Sequence, residues 1–187
     1  MRLTLNVLGC LCFLLCLVSS SDAKDWQGIV PLHSTRADVE KLLGPPPPPP
    51  SDGTQIYSLN AGRSIYKLGE SEVYIVYANE NTEGWNDCAG KVPEGTVLLI
   101  YVTPKNQMSL ADLKLGSQRL IEFEGLKPKD PDHKGYLDGE SGIGIRTFRG
   151  RVEEITYLPN KKDRHLCPSY FKNLKDFVRI QRAYESQ

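Results

Sequence analysis

The hydrophobic and polar positions of the chain predict one short helix followed by a succession of strands. Ser34 and Thr35 are both suited to cap a helix, because a side-chain oxygen there accepts from the free N–H groups of the first turn. Thr35 with Asp38 three residues later approximates a capping box. Val39, Leu42 and Leu43 fall at i, i+3 and i+4 and share a face, which leaves Arg36, Asp38, Glu40 and Lys41 to water. Gly44 closes the helix and Pro45 cannot continue it. Isolated helices need roughly 12–15 residues, more than this segment offers. Leu42 and Leu43 are therefore expected to be buried against the strands that follow.

Those strands are read from alternation and turn chemistry. Gln55–Leu59, Arg63–Leu68 and Glu72–Tyr77 come first, with Val73, Ile75 and Tyr77 on one face of the third and Tyr74 and Val76 on the other. Thr96–Val102 (TVLLIYV) is apolar on both faces, as in a central strand covered on two sides. The helix is expected to cover one side. A turn capped by Ser109 around Leu110 and Leu113 is expected to cover part of the other. Leu120–Phe123 reads as an edge strand and Lys127–Gly135 as a loop. Ile143–Phe148 and Arg151–Tyr157 form a hairpin across Arg149-Gly150. Phe171, Leu174, Phe177 and Val178 recur at helical spacing, which allows a C-terminal amphipathic helix over 168–184. Short links between successive strands favour an antiparallel sheet in an α+β domain.

Pro45 to Pro50 is a run of six prolines, expected to form a polyproline II rod. A stiff exposed connector between helix and sheet is the simpler reading. A ligand for an aromatic groove on another protein is the sharper one.

Residues 1–23 stand apart from this pattern. Arg2, an apolar run from Leu3 to Val18 and the small-x-small triplet Ser21-Asp22-Ala23 describe a signal peptide, with the mature chain starting at Lys24 as a single domain over 24–187. The placement of Cys10 and Cys16 does not suit lipid attachment. Cleavage would remove one basic residue, Arg2, and one acidic residue, Asp22, so the formal charge of zero persists. That balance gives no support for nucleic acid or an anionic membrane as a partner, and no stable membrane insertion is expected after cleavage. Of five cysteines only Cys88 and Cys167 remain in the mature chain. In an oxidising compartment an even pair reads as a disulfide, with two free thiols or a metal pair as alternatives. No Asn-x-Ser/Thr acceptor follows Ala23, which favours a bacterial periplasmic or secreted location.

The chain carries no nucleophile elbow, phosphate loop or zinc-protease helix. His33, His133 and His165 are scattered. Asp130 and Asp132 begin like a calcium loop, but Lys134 and Ser141 occupy positions that need oxygen ligands and a carboxylate. Asp138 and Glu140 flank a glycine and read as turn residues. No catalytic, cofactor-binding or metal-ligating residue is assigned, and no cofactor is expected.

Several phrases, IVPLHSTRADVEKLLGPP, NDCAGKVPEGTVLLIYVTPK, DGESGIGIRT, VEEITYLP and HLCP, together resemble a group of small secreted proteins of acidobacteria and similar soil bacteria. Cys88 and Cys167 lie inside these motifs, and the resemblance implies their pairing. It implies no catalytic residue. More narrowly, the opening helix followed by Leu-Gly-Pro and strands is similar to outer-membrane assembly lipoproteins of the SmpA/OmlA type and to β-lactamase inhibitor proteins, which use this arrangement to bind proteins. The expectation is an exported, non-enzymatic module that binds a macromolecule such as an envelope protein, with Tyr57, Tyr66, Tyr74, Tyr77 and Tyr101 as candidate contacts. The rivals are an enzyme assembled from distant residues such as His133, Asp138 and His165, and a small-ligand carrier with a deep apolar cavity.

Overall fold

The structure, a computed structural model, describes residues 25–47, 62–79, 88, 91–113, 120–124 and 132–168. The expected strand Gln55–Leu59 and the expected C-terminal helix lie outside them. Helix α1 spans Arg36–Leu43, and its capping box forms as the sequence predicts. Asp38 N–H donates to Thr35 Oγ1 at 3.3 Å, while Thr35 N–H and Oγ1 donate to Asp38 Oδ2 at 2.8 and 2.7 Å. These bonds hold the Asp38 carboxyl below its ordinary range. Gly44 ends the helix at φ 83° and ψ 175°, a region open essentially to glycine alone.

The strands are β1 (Arg63–Leu68), β2 (Ser71–Tyr77), β3 (Val97–Pro104), β4 (Ile121–Glu124), β5 (His133–Asp138), β6 (Ile143–Phe148) and β7 (Arg151–Tyr157). They form one antiparallel sheet in the order β1-β2-β3-β7-β6-β5-β4. The described residues are thus mostly β with a single α-helix, so the α+β expectation fits them only loosely. The sheet consists of two meanders, β1–β3 and β4–β7. Ile100↔Tyr157, Tyr101↔Thr156 and Val102↔Ile155 join them. The β6–β7 hairpin turns on Arg149 and Gly150, both at positive φ (50° and 77°), as a tight primed turn requires.

The two faces carry different cores. On one, Val73, Ile75, Tyr77, Ile100, Val102, Ile143, Ile145 and Ile155 pack with Trp26, Ile29 and Val39. On the other, Val76, Leu99 and Leu137 pack with Leu32, Val92, Leu158, Cys88 and Cys167. The sulfurs of Cys88 and Cys167 lie at disulfide distance, 2.06 Å apart, with their Cα atoms 4.5 Å apart. β3 is buried on both faces, as a central strand should be.

Three expectations are corrected. Leu42 is 53% exposed rather than buried, and Leu43 is only partly buried. In a helix of eight residues the contact narrows to one position, and Val39 alone is fully buried. Leu110 and Leu113, on the 3-10 turn Leu110–Leu113 capped by Ser109, pack on the same face as α1 and not on the opposite one. The opposite face is covered instead by the segments bearing the two cysteines. Finally, His133–Asp138 is a strand where a loop over Lys127–Gly135 was expected. Its inward positions are Gly135 and Leu137, and a glycine hides the alternation.

Core side chains of this kind each contribute about 1.5–3 kcal/mol. Ile75→Ala should cost about 2–5 kcal/mol, whereas Leu42→Ala should stay within about 0.5 kcal/mol. Denaturant unfolding of the two variants checks the difference, and comparable losses would contradict this packing.

Candidate functional site

Two surfaces gather the chemistry of the described residues. The first is an open cleft of about 660 Å³ between the start of α1 and the ends of β1 and β2, lined by Thr35, Arg36, Glu40, Gly62, Asn79 and Glu94 among others. Arg36 lies with its guanidinium carbon 4.3 Å from the centre of the Tyr77 ring, a cation–π arrangement. Beneath it Ser64, Tyr66 and Tyr77 are 1%, 3% and 0% exposed. Their hydroxyls interact with one another. Burial, aided by the neighbouring Tyr77 and Glu40, pushes the Tyr66 phenol up to about 12. Burial also raises Tyr77, against the opposing effects of Ser64 and Arg36. Tyr66 donates to the Gly44 carbonyl at 3.4 Å and so ties β1 to the end of the helix. A Cβ at Gly62 would meet Asn79 at 2.9 Å and the Tyr77 carbonyl at 3.1 Å, so only glycine allows this close approach. The cleft is polar, lined by the Arg36 guanidinium together with the two acids Glu40 and Glu94. It is not the deep apolar cavity a carrier would need.

The second surface lies on the sheet face that bears the cysteines. There the apolar cluster ends at Tyr101, which packs against its edge. Tyr74 is the direct cross-strand partner of Tyr101, and both are half-buried. Tyr74 donates its hydroxyl proton to Glu72. The adjoining row of the same face carries Glu72, Thr103, Glu154 and Arg146, placed by the register of β2, β3, β7 and β6. Arg146 lies 3.6 Å from Glu154 and 3.5 Å from Glu153. His133 is 3.7 Å from Glu153 and stacks on Phe148 at 4.6 Å between ring centres.

The candidate tyrosines therefore divide. Tyr66 and Tyr77 are core, Tyr74 and Tyr101 stand at the edge of the core, and Tyr57 lies outside the described residues. His133, Asp138 and His165 do not assemble a site. His133 and Asp138 stand at opposite ends of β5, which at about 3.3 Å per residue keeps them well beyond contact. The Asp138 carboxylate caps its own turn, taking the N–H groups of Glu140 and Ser141 and the Ser141 hydroxyl. His165 Nδ1 lies 3.1 Å from the Lys162 carbonyl. Asp132 pairs with Arg149 at 2.9 Å.

Two features escape the sequence reading. Arg36 was expected to face water, yet it stacks on a ring. His33 Nε2 sits 2.9 Å from Oδ1 of Asp163, a buried carboxylate that completes the capping box of the 3-10 helix Lys161–His165 by accepting from the N–H of its cap residue Asn160. Ser64 could have been found from the alternation that puts it inward with Tyr66. The His33–Asp163 pair spans 130 residues and leaves no local trace. No protein family matches the chain, and neither does any curated protein or solved structure.

The raised phenol has a pH consequence. An unfolded tyrosine ionises near 10, so the stability conferred by Tyr66 is complete below about pH 10 and is lost as the pH rises towards about 12. Tyr66→Phe should flatten this alkaline decline. Denaturation midpoints measured across that range test it, and an unchanged decline in the variant would contradict the assignment.

Proposed function

We propose that this chain is exported as a single α+β domain and acts as a non-enzymatic module that binds another macromolecule, most simply an envelope protein. The Tyr74–Tyr101 pair, flanked by Glu72, Glu154 and Arg146, is the observation that carries the reading. Tyrosine and arginine are enriched where interfaces desolvate, and half-buried rings offer large contact area at little cost in side-chain freedom. The signal-like residues 1–23 and the resemblance to small secreted bacterial proteins support export. The cysteine geometry is compatible with an oxidising compartment.

The chain from Lys24 onwards, immobilised and exposed to envelope extract, should retain a partner that Tyr74→Ala loses, with the variant's thermal midpoint unchanged. Repeated captures that show no difference between the two proteins would overturn the proposal. Export carries its own check. Thiol titration of the unreduced, denatured mature protein should find no free thiol, and reduction should lower stability by at most about 4–5 kcal/mol for a loop of this length. Two titratable thiols would contradict oxidation in an exported protein.

A further inference from the structure

The end of α1 presents an apolar strip that the proposed sheet-face contact does not use. Leu42 is one of two large hydrophobic residues strongly exposed among those described. Pro45 and Pro47 beyond it are also exposed, while Pro46 is half-buried. Each of these prolines has φ fixed near −65° and precedes another proline, which drives its ψ to the extended value. Pro45–Pro47 is thus one turn of polyproline II, a helix with three residues per turn. One of its three ridges, at Pro46, turns towards the fold and the other two face away.

The strip is held in place. Leu43 packs on the core, the Gly44 N–H donates to the Glu40 carbonyl at 2.9 Å, and the Gly44 carbonyl accepts from Tyr66 at 3.4 Å. Little conformational freedom remains to be lost when a partner engages it. The prolines offer carbonyl acceptors and no N–H donors. A complementary groove must therefore combine aromatic walls with indole or phenol donors. Lys41, exposed in the last turn of α1, is the only charge between Glu40 and Asp52, so the end of the groove nearest the helix should be acidic.

We propose that Lys41–Pro47 is a docking rod for an aromatic-walled, acidic-rimmed polyproline groove on a partner protein. Calorimetric titration of the chain from Lys24 onwards with purified SH3, WW and EVH1 domains, whose grooves have such walls, tests this. At least one domain should bind saturably. Pro45→Ser combined with Pro47→Ser, and separately Leu42→Ser, should each weaken that binding by about tenfold or more. Lys41→Glu should also weaken it, and added salt should remove the difference between Lys41→Glu and the parent protein. Tyr74→Ala should bind as the parent does, which separates this contact from the sheet-face one. If the proline variant unfolds, the Lys41 and Leu42 variants still decide. The proposal is overturned if no domain binds saturably, or if the folded variants bind as tightly as the parent.

Discussion

The pairing of β3 with β7 is the constraint on which the rest of the sheet depends. Each meander is built from local hairpins, and among the described residues the pairs Ile100↔Tyr157, Tyr101↔Thr156 and Val102↔Ile155 join their strands into one sheet. Those pairs lie at the centre of both cores. Ile100, Val102 and Ile155 face α1, whereas Tyr101 and Thr156 face the cysteine-bearing segments. Without this junction neither meander would have both of its faces covered, and three- or four-stranded pieces with a bare apolar face are poor independent folds.

The same junction positions the candidate surfaces. It brings Glu154 and Arg146 of one meander alongside Glu72 and Tyr74 of the other, so the charged row exists only once the two halves meet. The cleft beneath Arg36 depends on a different set of contacts. There the chain before α1 is stitched to β3, with Leu32 donating to Val97, Val97 to Ser34, and Arg36 to Gly95. These backbone bonds set the helix start above Tyr77 and fix where its guanidinium can rest.

Local rules made much of the fold legible. The capping box, the glycine at the helix end, the strand β1 and the β6–β7 hairpin all follow from residues within a few positions of one another. The central place of β3 followed from its apolar character on both faces. What escaped was decided at a distance. Helical periodicity assigned Leu42 to the buried face, but in a helix of eight residues Val39 takes the buried contact and Leu42 lies exposed near Gly28. The cover of the second face comes from segments around residues 92 and 158–167, whose composition resembles loops because little of their backbone is in strands. Of the candidate surfaces, the tyrosines themselves were visible in the sequence, but alternation alone could not separate Tyr66 and Tyr77, which are core, from Tyr74 and Tyr101, which border it.

The link between Cys88 and Cys167 divides the chain mechanically. Strands β3 to β7 all lie within the 79-residue span that it closes, while α1, β1 and β2 lie outside. With the bond formed, tension applied to the two ends of the chain would pass from one cysteine directly to the other. The backbone of the five enclosed strands would lie off that covalent path, while α1, β1 and β2 lie on it, so the pull would reach β3 through its pairs with β2. A cut anywhere in the enclosed span would likewise leave two fragments joined covalently. Of the described elements, those from α1 to β2 are thus the ones that a pull on the chain ends would extend directly.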